Sequence, residues 1–298
     1  MTNVSLKFPM IRNPKDFGVW PACPSLGFIL SSQFRKCFHI LWVARNGPVD
    51  YDCISKHTLI EFNNTFLLGK IIILMGGLID MMEIIPAILA EEFKDCLKMV
   101  KQAESFTRYV QIDLMDGIFV PSRSFSGETI NDIQTTIFFE IHLMVQDPQS
   151  LMARIRHPHL KQVIFHFESN VRYLDFVRQM EERGITTGMA LNPGTQVNEF
   201  KEMAERVDTL LFLAVDPGAY GSPFKPEVLR KVEGSRRLFP HKRISVDGGI
   251  SLDNLKLFRD IGVDSVCVGS RIFQKGVPEE NYKQFTNKIK ELEAIEPR

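Results

Sequence analysis

Tyr109-Val110-Gln111-Ile112-Asp113-Leu114-Met115-Asp116-Gly117 has the pattern of a buried strand running into a turn. A short apolar run delivers Asp113 at its end, and Asp116-Gly117 then supplies a turn signal. Two later stretches read the same way: Phe138-Phe139-Glu140-Ile141 leads into His142-Leu143-Met144-Val145, and Arg243-Ile244-Ser245-Val246 leads into Asp247-Gly248-Gly249. Each puts a carboxylate or an imidazole where a strand emerges into a loop. If the strands belong to one parallel barrel, the three side chains converge on the mouth where such barrels build active sites. Asp113 and Asp247 stand more than 130 positions apart in sequence. Two separated carboxylates suit a reaction that removes a proton from one face of a carbon and replaces it on the other.

Eight short apolar runs along the chain qualify as strands: 84–89, 109–113, 138–145, 162–167, 187–191, 209–215, 243–247 and 265–268. Amphipathic segments lie between them. Phe93, Cys96, Leu97 and Val100 recur at helical spacing, as do Val197, Phe200 and Ala204; Tyr282, Phe285, Ile289 and Leu292 mark the last helix. Ser251 is read as the N-cap of a helix carrying Leu252, Leu255 and Phe258. Strand-helix alternation implies parallel strands with crossover helices, and eight units in about 215 residues fit a compact α/β fold, the (βα)8 TIM barrel. A doubly wound open sheet is the second possibility, but no G-x-G-x-x-G follows the first strand.

The chain of 298 residues carries 36 Lys/Arg and 36 Asp/Glu. That neutral balance gives no support to nucleic-acid binding. Five cysteines (Cys23, Cys37, Cys53, Cys96 and Cys267) form no metal or disulfide pattern and read as reduced thiols of a cytoplasmic protein. Residues 1–80 differ from the rest. They hold both tryptophans and three of the cysteines, Pro, Gly and Asn interrupt them throughout, and they lack a secretory signal pattern at Met1–Trp20. The apolar stretch Phe66–Ile79 is shorter than the roughly 20 residues that span a bilayer, so no membrane association is expected. Met75-Gly76-Gly77-Leu78-Ile79-Asp80-Met81-Met82 is compatible with an encoded ribosome-binding sequence just ahead of Met81 or Met82. Residues 1–80 are therefore expected to be a poorly ordered extension or a mis-assigned start, and 81–298 the catalytic domain.

Glycines cluster at the same inferred mouth. Gly248-Gly249 follows strand seven and Gly269-Ser270 follows strand eight, the pair of strands where barrels commonly cradle a phosphate. Gly218-Ala219-Tyr220-Gly221 follows strand six and is placed to close over the same group.

Residues 82–298 resemble the ribulose-phosphate 3-epimerase family. The resemblance rests on Pro86-Ala87-Ile88-Leu89, Asp113 to Pro121, His142-Leu143-Met144-Val145, Leu191-Asn192-Pro193, Val215-Asp216-Pro217-Gly218, Val246-Asp247-Gly248-Gly249 and Gly269-Ser270-Arg271-Ile272-Phe273. It implies an isomerase that inverts C3 of a ketopentose phosphate, D-ribulose 5-phosphate to D-xylulose 5-phosphate, through an enediolate. Asp113 and Asp247 stand at the family's two acid/base positions. The resemblance also implies one divalent ion (zinc, iron, manganese or cobalt) held by Asp113, His142, Asp247 and a second histidine, polarising the ketone oxygens as a Lewis acid. His142 and Asp247 would also face the substrate, and Ala87, Gln111, Met115 and Met144 would line the site. For Met115 and Met144, core packing is an equally good reading.

The chain departs from that pattern at named positions. Gln111 stands where the family's first metal-binding histidine is expected, so the ion either binds through three protein ligands or gives way to Gln111 as a hydrogen-bond donor. Ala87 replaces a serine, and Ala219, Tyr220, Ser222 and Pro223 alter the loop after strand six. Other readings are an epimerase of a different phosphoketose, a non-catalytic phosphosugar-binding relative, or a decarboxylase or synthase of the same barrel group. The last would carry Lys two residues after Asp113, where this chain has Met115. A phosphosugar is the expected small-molecule partner, and a homo-oligomer is expected because such barrels commonly cover apolar helix faces that way.

Overall fold

Apolar runs long enough for one strand, rich in Val, Ile, Leu and Phe, are what a strand buried on both faces requires. The computed structural model, which describes residues 81–218 and 221–295, shows all eight of them as strands. They are β1 (Glu83–Leu89), β2 (Tyr109–Met115), β3 (Phe138–Met144), β4 (Leu160–His166), β5 (Thr186–Leu191), β6 (Thr209–Leu213), β7 (Arg243–Asp247) and β8 (Ser265–Val268). Every neighbouring pair is parallel, and β8 pairs back onto β1, which closes the barrel. The expectations for residues 1–80, including the misplaced start, fall outside the described residues.

Helices cover the outside: α1 (Phe93–Ala103), α2 (Pro148–Met152), α3 (Tyr173–Glu181), α4 (Val197–Ala204), α5 (Val228–Leu238), α6 (Leu255–Asp260), α7 (Ser270–Phe273) and α8 (Pro278–Ile295). A 3-10 helix, Gly127–Asp132, takes the place of an α-helix after β2. The helical spacings seen in sequence are the buried faces: Cys96 and Val100 in α1, Phe200 and Ala204 in α4, Phe285, Ile289 and Leu292 in α8. No helix among the described residues is long and apolar enough to cross a membrane.

Side chains alternate along each strand, so the barrel sorts them into two cores. Outward residues such as Val110, Ile112, Leu114, Phe139, Ile141, Phe165 and Phe212 pack between the sheet and the helices. Inward residues Ile85, Ala87, Ile164, Ala190, Leu211, Leu213 and Cys267 fill one side of the interior. Polar Gln111, Glu140, Ser245 and Ser265, all buried, are also in the strands. Each fully buried aliphatic or aromatic side chain contributes about 1.5–3 kcal/mol relative to exposure, which offsets the cost of burying those polar groups.

Ser251 does not cap a helix. The turn 252–254 intervenes, and α6 begins at Leu255 after Asn254. Asn254 organises this corner: its Oδ1 accepts the Ser251 N–H at 2.8 Å and its Nδ2 donates to the Gly249 carbonyl at 2.9 Å. A four-residue turn tied at both ends by one amide replaces the single cap.

Candidate active site

Parallel register decides which groups meet. Asp113 pairs with His142 across β2 and β3, and Asp247 pairs with Cys267 across β7 and β8. Gln111 lies one inward step below Asp113 and pairs with Ala87 of β1. Three residues expected from sequence, Asp113, His142 and Asp247, therefore come together across the barrel mouth, with Asp113 and His142 buried.

His142 Nδ1 lies 3.0 Å from Asp113 Oδ1 and 3.6 Å from Asp247 Oδ2. Between the carboxylates stands Gln111, whose Nε2 donates to Asp113 Oδ1 at 2.9 Å and to Asp247 Oδ2 at 2.8 Å. Its Oε1 accepts from the Cys267 thiol at 3.1 Å. This network fixes the orientation of the amide, since the reversed amide would turn an oxygen lone pair on two carboxylates. Burial, then the charges of Asp247 and Glu140, push the Cys267 thiol well above its ordinary pKa, so it stays a donor.

Electrostatics set Asp247 apart from an ordinary carboxylate. Burial, and next the Asp113 charge, push Asp247 up to about 6, while His142 and the Gln111 amide oppose that rise. Burial resists charging of His142, but the hydrogen bond to Asp113 and the charges of Asp113, Asp247 and Glu140 outweigh it and raise its pKa above the ordinary imidazole value. Below Gln111, Glu140 is pushed up to about 7 by burial and takes a hydrogen bond from the Tyr109 hydroxyl at 3.1 Å.

The three donors suit a divalent ion. One imidazole nitrogen and two carboxylate oxygens lie within 4.8 Å of one another, the spacing and chemistry of a three-ligand catalytic site that leaves a position open. Gln111 is not a fourth ligand in this rotamer, because it presents an N–H2 group that has no lone pair to offer.

Around this centre, Met115 and Met144 pack with Val120, Leu89 and Phe119 into an apolar rim. Ala87 is buried in the interior beside Gln111. Asp116 acts as a turn residue: its Oδ1 accepts the Ile118 and Phe119 N–H groups at 2.8 Å each, and its Oδ2 accepts the Gln146 N–H at 2.7 Å. Gly248 and Gly249 follow β7 with φ of 97° and 68°, where a side chain at Gly248 would meet Val215 and one at Gly249 would meet Phe224. Gly269 precedes α7, and Ser270 is its first residue. Gly218 and Gly221 flank the loop after β6, and Ala219 and Tyr220 lie outside the described residues.

Sequence reading missed two residues of the network, His166 and Glu168. His166 is wholly buried at the end of β4, with Nε2 3.0 Å from His142 Nε2 and Nδ1 3.3 Å from Glu168 Oε2. Phe119 covers His166 with ring centroids 4.6 Å apart. The signal was available: an imidazole at the C-terminal end of a barrel strand is the feature that exposed His142.

The family model for the ribulose-phosphate 3-epimerase family matches residues 83–273, which span every strand of the barrel. The chain belongs to that family. It is therefore an isomerase. The ribulose-phosphate 3-epimerase of Candida glabrata is 30% identical over 234 residues, covering 71% of this chain and 94% of the relative. That of Schizosaccharomyces pombe is 28% identical over 221 residues, covering 72% and 97%. Among solved structures, KGPDC from Streptococcus mutans superposes with a TM-score of 0.52 at 12% identity, covering 71% of this chain and 99% of the other. At that identity the likeness concerns the barrel alone.

Proposed function

We propose that the chain interconverts D-ribulose 5-phosphate and D-xylulose 5-phosphate, with Asp113 and Asp247 as the acid/base pair. The observation that carries the reading is the pair of carboxylates from opposite stretches of the chain, bridged by the single Gln111 amide beside His142. One carboxylate takes the C3 proton, and the C–H electron pair moves toward the C2 carbonyl oxygen to give an enediolate. The other, protonated, returns a proton to C3 from the opposite face as the enediolate collapses. Reversal swaps their roles, so the pair needs one proton between two carboxyls.

The electrostatics support that sharing. An ordinary carboxylate is a weak base toward a carbon acid, whereas Asp247 at about 6 is stronger by about two units. At pH 7 placing a proton on it costs about 1.4 kcal/mol. A divalent ion held by Asp113, His142 and Asp247 would add Lewis-acid polarisation of the ketone. Backbone N–H groups of Gly248-Gly249 and Gly269-Ser270 would hold the phosphate, and the apolar cluster of Met115, Met144 and Phe119 would exclude water from the reacting carbon.

The test is C3 proton exchange of D-ribulose 5-phosphate in D2O, followed by NMR for the full-length chain and for Asp113→Asn and Asp247→Asn. Exchange with formation of the xylulose isomer, lost by at least about 10³-fold in both variants, is the expected result. Exchange that survives either substitution would remove that residue from the pair.

A further inference from the structure

The chemistry of Glu168 dictates where the protons of two histidines sit. Its Oε1 accepts from the Asn192 N–H at 3.0 Å and from the Thr195 hydroxyl, and its Oε2 faces His166 Nδ1 at 3.3 Å. Burial opposes its ionisation, but the hydrogen bonds from His166, Thr195 and Asn192 outweigh burial and hold its pKa below the ordinary carboxylate value. An ionised carboxylate only accepts, so the proton between Glu168 and His166 belongs to His166 Nδ1. His166 is wholly buried, and at alkaline pH such an imidazole is neutral and carries no second proton. Its Nε2 is then a bare acceptor 3.0 Å from His142 Nε2, which must be the N–H partner.

We propose that Glu168 and His166 are positioning residues that fix the proton of His142 on Nε2, turning the Nδ1 lone pair toward Asp113 and Asp247 in the one tautomer able to ligate a divalent cation there. A lone pair 3.0 Å from Asp113 Oδ1 and 3.6 Å from Asp247 Oδ2 is repelled by both oxygens unless a cation stands between them. Either a proton or a metal ion meets that need. The Asp116 turn contributes by carrying Phe119 onto the His166 ring, which keeps water from breaking the His142–His166 link. The inference rests on the reading of Asp113, His142 and Asp247 as ligands, and its test separates the two.

Two measurements on the full-length chain decide it. In the metal-free protein with histidine 15N-labelled, at alkaline pH where imidazoles are neutral, two-bond 1H–15N correlation spectra are expected to show His166 protonated on Nδ1 and His142 on Nε2. Co²⁺ titration by calorimetry and visible absorption then compares wild type with Glu168→Gln and Thr195→Val. Two donors face Oε1, so glutamine there points its carbonyl at them and its amino group at His166, which reverses both tautomers. Co²⁺ affinity is expected to fall about 10–100-fold in Glu168→Gln. Thr195→Val disturbs the same loop without touching His166 and is expected to stay within about threefold of wild type. A wild-type spectrum with His166 protonated on Nε2, unchanged Co²⁺ affinity in Glu168→Gln, or an equal loss in Thr195→Val would each overturn the relay while leaving the ligand reading intact. Failure of the wild-type chain to bind Co²⁺ would overturn the ligand reading and the relay with it, and the proton-exchange result would still stand on its own.

Discussion

Replacing Gln111 with leucine keeps the volume of a wholly buried side chain and deletes both its donors and its acceptor. The variant loses two hydrogen bonds to carboxylates, at 2.9 and 2.8 Å, and leaves the Cys267 thiol without its amide partner. Bonds to charged groups are worth about 1.5–3 kcal/mol each, which sets an upper bound of about 6 kcal/mol. The carboxylates recover part of this by retaining a proton, so a loss of about 2–4 kcal/mol is expected at pH 8 with chelator present. The sign of the pH dependence follows from linkage. Gln111 lowers the pKa of Asp247, which already stands at about 6, so its removal raises that value further. Across the window from about pH 4 to the raised value, the folded variant binds more protons than the unfolded chain, and its stability falls as pH rises. Wild type shows the same fall over a narrower window, ending near pH 6. The difference between the two proteins is therefore expected to shrink by about 1 kcal/mol at pH 5, where the bond to Asp247 becomes a neutral one. Urea unfolding at pH 5 and pH 8 measures both quantities. A loss below about 1 kcal/mol at pH 8, or an equal loss at both pH values, would refute the assignment of Gln111 as the bridge between two charged groups.

Two further outcomes follow from the same geometry. Gln111→His exchanges the bridging donor for an imidazole nitrogen beside the three existing donors, and calorimetry with Zn²⁺ or Co²⁺ is expected to show affinity raised by at least about tenfold; unchanged affinity would mean that position 111 does not limit ion binding. Gly248→Ala drives a Cβ into Val215 Cγ2 at φ 97°, so overpacking and left-handed strain together are expected to cost about 2–5 kcal/mol, read as a lower thermal midpoint. The double variant with Val215→Ala recovers the overpacking share and leaves the strain, and a double variant no more stable than Gly248→Ala would contradict this.

Much of the barrel was legible because a strand buried on both faces writes itself as an unbroken apolar run, and all eight runs are strands within a few residues of their expected limits. The same property hid part of the site. The fourth apolar run extends through Phe167, whereas β4 ends at His166, so the sequence pattern leaves the imidazole inside the run rather than at the strand's exit. Glu140 was passed over inside Phe138-Phe139-Glu140-Ile141, although alternation points it into the barrel with His142. Ser251 had the composition of a cap, but Asn254, three residues on, could hold both ends of the corner, and that competition is settled by geometry. Cys267 stood alone in sequence, 156 positions from the amide it orients. A contact of that separation is made by barrel closure, and no local pattern encodes it.

The interior explains why these residues act as a unit. On β1, β4, β5 and β6 the inward residues Ile85, Ala87, Ile164, Ala190, Leu211 and Leu213 form an apolar wall, with His166 at its upper end facing His142. On β2, β3, β7 and β8 they form a polar column, with Glu140 and Tyr109 lowest, Gln111, Ser245 and Cys267 above, and Asp113, His142 and Asp247 at the mouth. Each level orients the next: the Ser265 hydroxyl donates to Ser245 Oγ at 2.9 Å, Ser245 meets the Cys267 thiol, the thiol holds the amide, and the amide spaces the two carboxylates. A buried carboxylate in the lowest level would add repulsion to the mouth, and burial of Glu140 lessens that by raising its pKa to about 7. The wall opposite supplies the low dielectric that lifts Asp247 toward a useful base strength. A substitution deep in the column is therefore felt at Asp113 and Asp247 through hydrogen-bond direction and charge, without any displacement of the strands that carry them.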